Sequence, residues 1–265
     1  MGGVAQRGAR PGMTLALAAG ILFAVLATSI LSGILGMAGG VILMAVLVAT
    51  LSVSGAMVLH GAVQAASNGA RFVFLRQHMM WSVVPPYIAG AALVVILFSL
   101  AAFVPDPAVV LVLVGTLPWL ARILPKTGKL DVRQPVTAMC CGSVVTGAQL
   151  LAGASGPLLD AFYVNTPVDR FRIVATKAFT QTLGHTVKLA YYATLGGLAW
   201  GEASAGAVPI WIILAGMATA VVGARIGTRF LARFEDNQFR RVSGWVILAL
   251  ATLCIVGGLR QIIGN

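Results

Sequence analysis

The chain has 265 residues, of which 59% are hydrophobic and only 9% charged. That balance leaves too little polar surface for a soluble globule, a difficulty that disappears when lipid is the solvent. The formal net charge of +11 would suggest nucleic acid in a soluble domain. Here the basic residues gather at the ends of apolar runs, which assigns them to lipid headgroups and topology, and no nucleic-acid partner is expected.

In chain order the apolar runs are Thr14–Leu35, Gly55–Leu75, Ser82–Val104, Ala108–Leu124, Pro135–Ala152, Phe171–Tyr192, Ala207–Leu231 and Val242–Ile263. Most reach the roughly 20 residues that span a ~30 Å hydrocarbon core. The first run is too long for the apolar region of a signal peptide and has no clear processing site, so it reads as mature protein. The longest polar stretches, around Lys126–Arg133 and Glu235–Arg241, are loops. The expected fold is all-α: a polytopic integral membrane protein with about eight to ten membrane segments forming one domain over residues 1–265. Cys140, Cys141 and Cys254 have no spacing that suits a metal or a disulfide framework and read as small packing residues. No metal and no cofactor is expected.

Sliding the sequence against itself by 117 positions brings unusual residues into register. Gly36 meets Gly153 and Gly39 meets Gly156; His60 meets Lys177, Gln64 meets Gln181, Asn68 meets His185 and Arg71 meets Lys188. Matches of this kind at one ungapped offset imply a duplication, with one repeat over about 13–124 and the other over about 132–263. After the glycines each half places a short apolar piece, Val41–Leu51 and Pro157–Val164. At 1.5 Å per residue these are roughly 12–17 Å long, too short to cross. The stretches Gly33–Gly40 and Gly153–Pro157 therefore read as breaks in discontinuous or re-entrant helices. The competing reading is that the glycines only let helices approach closely.

Loop charge sets the orientation. The loops near Arg76–His78, Lys126–Arg133, Asp169–Arg172 and Arg229–Arg241 are basic, whereas those near Asp106 and Glu202 are not. The basic loop after the first half's polar helix thus corresponds to a non-basic loop in the second half, which is the pattern of inverted repeats. Arg7 and Arg10 at the amino terminus run against strict inversion.

Polar side chains inside spanning helices are costly and so are candidates for function. His60, Gln64, Asn68 and Arg71 share one helical face, and Lys177, Gln181, His185 and Lys188 repeat the spacing. The solute-binding candidates are Gly36, Gly39, Gly40, Gln64, Asn68, Gly153, Ser155, Gly156, Gln181 and His185. His60, Arg71, Asp160, Lys177 and Lys188 are candidates for charge balance or ion coupling, with Arg71 and Lys177 equally readable as headgroup anchors. Amino ends of half-helices present unsatisfied N–H groups and a positive dipole end, and glycine lets backbone approach a solute. The expected ligand is a small anion.

These residues resemble the sulfite exporter family, also called TauE/SafE or TSUP, a group of membrane permeases. The resemblance rests on Gly33–Gly40, on Gly153-Ala-Ser-Gly-Pro157, and on Ile173-Val-Ala-Thr-Lys-Ala-Phe-Thr-Gln181 followed by Gly184-His185 and Lys188. It runs from about Thr14 to the end of the chain, departing at Met37-Ala38, where glycine is common. It implies passage or export of sulfite, sulfoacetate or related organosulfur anions across a bacterial inner membrane, driven by a coupling proton or other ion and not by ATP. The lack of a G-x-x-x-x-G-K-[ST] loop agrees. The alternatives are a permease or channel for another small solute, and a membrane-embedded lipid pyrophosphate phosphatase, a chemistry that usually needs carboxylates beside the basic groups. Membrane lipid is the other expected partner. No motif specifies transport direction or oligomeric state.

Overall fold

The computed structural model describes residues 13–35, 38–101, 106–123, 130–163, 166–195, 208–231 and 236–263. In these the chain forms ten α-helices: α1 Leu15–Leu35, α2 Ala38–Thr50, α3 Val53–Leu75, α4 Val84–Ala101, α5 Pro107–Ile123, α6 Pro135–Ala152, α7 Gly156–Tyr163, α8 Arg170–Leu195, α9 Ile210–Leu231 and α10 Asp236–Ile263. Two 3₁₀ turns, Arg76–His78 and Trp81–Val83, lead from α3 into α4. Local chemistry accounts for several helix ends. The Ser52 hydroxyl accepts from Gly55 N–H at 3.2 Å at the start of α3. Pro135 opens α6, where its missing N–H is harmless. Asp169 Oδ1 accepts from the N–H groups of Phe171 and Arg172 at 3.0 Å each as α8 begins.

Four helices are long and apolar enough to cross a membrane, over Leu15–Gly33, Trp81–Ala101, Pro135–Ala152 and Ile210–Gly227. Each keeps bulky apolar side chains on the outside, among them Phe23, Leu97, Val136 and Leu214, as a helix facing lipid does. Helices α3 and α8 are longer still, at 23 and 26 residues, but polar residues dilute their hydropathy. Val53 and nearly every residue from Gly55 to Asn68 of α3 are buried, and α3 packs along α8 at the centre, although Val73, Phe74, Phe171 and Val174 toward one end of the pair are exposed. This is an all-α polytopic membrane protein in which the apolar helices surround a polar central pair.

Lipid tails are as apolar as leucine, so helices associate here through close packing more than by hydrophobic burial. Small residues make the contacts. A Cβ on Gly90 would strike the Met139 carbonyl, and one on Gly142 the Tyr87 carbonyl, so α4 and α6 are in backbone contact. Gly33 and Gly227 do the same for α1 and α9, and Gly115 and Gly258 for α5 and α10.

The order of these contacts gives helix direction. Gly61 of α3 faces His185 and Leu189 of α8, whereas Gly69 faces Thr182, and Phe72 meets Phe179. Advancing along α3 retreats along α8, so the pair is antiparallel. The α5/α10 pair is antiparallel too, since Gly115 faces Ala251 and Gly258 faces Ala108. In contrast α1 runs parallel to α9 and α4 parallel to α6. Exchanging α1–α5 with α6–α10 leaves these principal pairings unchanged. Up to α3 and α8 the helix bounds follow the 117-residue offset. Beyond them the register lengthens, because the packing counterpart of Gly90 is Gly223, seated on Leu26 and Ser29.

Candidate solute-binding site

Helix α6 stops at Gly153, whose φ of 73° lies in the left-handed region and whose N–H bonds the Gln149 carbonyl at 2.9 Å. Glycine is required twice over, because a Cβ would also lie 2.5 Å from Met44 Sδ and 2.7 Å from Met57 Sδ. After Ala154, Ser155 opens α7, its carbonyl accepting from Leu159 N–H at 3.0 Å. Its hydroxyl, which could cap the new helix, donates to Gln149 Oε1. Pro157 in the first turn has no N–H. The amino end of α7 therefore keeps backbone donors for another partner.

In the first half α2 packs back against α1, and Gly39 lies against Thr28 and Ser32 of α1 with no room for a Cβ. Helix α2 has 13 residues and α7 has 8, about 20 and 12 Å long, so neither spans a bilayer. By contrast α1 and α6, with 21 and 18 residues, are about 32 and 27 Å long, so in each half a full-length helix precedes the short one.

Side chains of α3 and α8 join the two breaks. Lys188, fully buried, donates from Nζ to the Gly153 carbonyl at 2.6 Å and contacts His60 Nδ1 at 2.7 Å. The Gly40 carbonyl, 2.8 Å from His60 Nε2, can only accept, so the imidazole proton sits on Nε2 and Nδ1 accepts from Lys188. One chain of hydrogen bonds thus runs from the end of α6 to the first turn of α2. His185 is fixed in the same way. Gln149, whose Oε1 is taken by Ser155, donates through Nε2 to His185 Nδ1 at 2.6 Å, which leaves the Nε2–H as the donor His185 can offer. The two imidazole centroids are 5.4 Å apart.

Around these rings lies a cavity with about 320 Å³ of empty space, its mouth included, lined by Ser32, Gly40, Val41, His60, Gln64 and Asn68 from the first half and Ala154, Ser155, Gly156, Gln181 and His185 from the second. Each half contributes equivalent positions: Gln64 with Gln181, and Asn68 with His185. Asn68 is steadied by Nδ2 donating to the Gln64 carbonyl at 3.0 Å. Its Oδ1 accepts from Arg71 at 3.4 Å. No carboxylate lines the cavity among the described residues.

The sequence-derived candidates are not all in this wall. Gly39 seats α2 on α1 and Gly153 caps α6, so both shape the site without lining it. Lys188 stands behind His60, and Arg71 reaches the Ser32 carbonyl at 3.4 Å. Half-buried Lys177 lies away from the cavity. Gly36 and the side chain of Asp160 lie outside the described residues. Sequence reasoning missed Ser32 and Gln149, although they too are 117 residues apart. Two polar residues at repeat-equivalent places, one turn before the breaks, were the available signal.

Outside the membrane, Arg133 pairs with Asp131 at 2.6 Å, which holds the Asp131 carboxyl below the usual carboxylate range. No curated protein and no solved structure matches the chain. The family model described as Sulfite exporter TauE/SafE matches residues 21–253, and the chain belongs to that family.

Proposed function

We propose that this protein is a secondary transporter, working as an exporter in a bacterial inner membrane, for sulfite, sulfoacetate or a related small organosulfur oxyanion. The observation that carries the reading is the single cavity built from equivalent positions of both halves, where the amino end of α7 converges with amide and imidazole donors. The N–H groups of α7 would meet the oxyanion, while Gln64, Asn68, Gln181 and His185 orient it. Lys188 acts from behind the wall through its bond to His60, without closing on the solute. Glycine at 40 and 156 keeps side chains out of the approach.

The antiparallel α3/α8 and α5/α10 pairs support two inverted repeats, over about 13–124 and 132–263, related by a two-fold axis in the membrane plane. Rocking one repeat against the other would expose the cavity to each side in turn. The hydrogen-bond chain from Gly153 through Lys188 and His60 to Gly40 would hold the halves together in this conformation, and a proton or other ion is the expected coupling partner.

Flux of sulfite and sulfoacetate, measured in proteoliposomes beside hydrolysis of a lipid pyrophosphate by the same preparation, tests the proposal. Saturable sulfite flux that Gly156→Val removes is the expected result. Hydrolysis without anion flux would overturn it.

A further inference from the structure

Lys188 of α8 is fully buried, yet both groups it bonds are uncharged: the Gly153 carbonyl at 2.6 Å and His60 Nδ1 at 2.7 Å. The titratable group nearest this pair is His185, its ring centroid 5.4 Å from that of His60. Helix α2 presents the Gly40 carbonyl and has no titratable residue. From α9, Gly216 comes up beside Leu59 and Val63, and Arg225 and Arg229 follow about two and a half turns or more further on. Arg71 stands about three turns along α3 from His60, and Tyr87, Cys141 and Tyr163 belong to a separate packed cluster. Asp160 of α7 is the carboxylate in the sequence of these neighbouring helices, its side chain outside the described residues.

The hydrogen bonds fix where a proton can be added. His60 gives its Nε2 proton to Gly40 and accepts at Nδ1, so Lys188 faces two acceptors and needs two N–H groups, which a neutral amine has. The amine lone pair is the place left for a further proton, and filling it breaks none of these bonds. His185 differs, because its Nδ1 already accepts from Gln149 and a proton there would set two donors face to face. An ammonium at 188 meets no counter-charge among the described residues, a costly state in a membrane interior. The anion cavity can supply that charge, since His60 lines it and Lys188 stands directly behind the His60 ring.

We propose that Lys188 is the coupling-proton site: it takes up a proton as the anion enters the cavity and releases it as the anion leaves, so that solute and proton cross together. A solvent proton adds to the Nζ lone pair on the side where the anion binds and returns to solvent on the side where it is released. Each charge lowers the cost of burying the other, and the linkage is reciprocal. An exporter built this way discharges accumulated solute down the solute's own gradient. The inference rests on the anion reading of the same cavity.

Sulfoacetate is the probe, because both its acid groups stay ionised between about pH 6 and 8. Calorimetry of the full-length protein, run in buffers of different ionisation enthalpy, counts the protons taken up on binding. Wild type should take up about one proton per sulfoacetate, with affinity rising by up to about tenfold for each unit fall in pH. Lys188→Gln keeps an amide donor for the same carbonyl, and should bind more weakly, with an affinity that no longer depends on pH and with no proton uptake. Asp160→Asn should take up as many protons as wild type. The wild-type count needs no variant, so misfolding of Lys188→Gln does not shield the proposal. Binding without proton uptake overturns it, as does uptake that survives Lys188→Gln or disappears in Asp160→Asn. If neither sulfoacetate nor sulfite binds, the anion reading itself falls and takes this inference with it, whereas binding without uptake removes the proton site alone.

Discussion

The two chain breaks occupy equivalent places but are secured differently. In the second half, Lys188 is wholly buried and holds the carbonyl of a left-handed glycine at 2.6 Å, while its other contact reaches across to His60 of the first half. In the first half, its repeat partner Arg71 is only half-buried and makes bonds of 3.4 Å to Ser32 and Asn68, both in its own half. The two basic residues thus do different work: Lys188 links the end of α6 to His60 of α3, while these bonds of Arg71 steady Asn68 and the end of α1. The difference follows from shape. A lysine places a compact charge at the end of a slender chain and fits between packed helices, whereas the broader guanidinium keeps contact with the periphery.

The sharpest way to break the second-half arrangement is Gly153→Ala. A left-handed conformation costs a non-glycine residue about 1–2 kcal/mol, and the added Cβ would overlap Met44 and Met57. We expect a large fall in melting temperature in detergent and loss of flux. Next in size is Lys188→Met, which strands two buried acceptors at about 1–3 kcal/mol each. Arg71→Met should destabilise by about 1 kcal/mol or less, since its bonds to Ser32 and Asn68 are long and only part-buried. Equal losses in the two variants, read by thermal unfolding, would contradict the division of labour.

A smaller effect is expected at His185. A glutamine there can accept from Gln149 through oxygen and donate to the cavity through nitrogen, so His185→Gln should keep sulfite affinity within about fivefold, the value of one hydrogen bond. Gln149→Leu removes both the donor to His185 and the acceptor for Ser155, and should weaken binding more; titration calorimetry with sulfite would rank them. At the small end lies Gly20→Ala, where nothing stands within 4 Å of the new methyl, and where stability should stay level or rise by up to about 1 kcal/mol. The Asp131–Arg133 pair, outside both breaks, should matter only in acid. Its carboxyl titrates below the usual range, so its small contribution is present above the ordinary carboxylate pKa and fades as pH falls through the lowered value. Unfolding of Arg133→Ala followed from neutral pH to about pH 3 should converge with wild type at the acid end.

Much of the molecule was legible in order. Apolar run length determined the membrane helices, because a bilayer accepts only segments that satisfy their own backbone, and Pro135–Ala152 was bounded to the residue. The 117-residue offset matched the helix bounds through α3 and α8, and helical periodicity put Gln64, Asn68, Gln181 and His185 on polar faces. What the sequence could not decide was partnership. Periodicity says which residues share a face of one helix, but not how far another helix is rotated or slid against it. Only the antiparallel packing of α3 on α8 brings Lys188 to Gly153 and His60, assigns each imidazole its protonated nitrogen, and turns Gly39 and Gly153 from solute contacts into helix seating and a cap. Ser32 and Gln149 entered the site for the same reason. Their side chains near the ends of α1 and α6 gain meaning only when folding back of α2 and α7 closes a cavity against them.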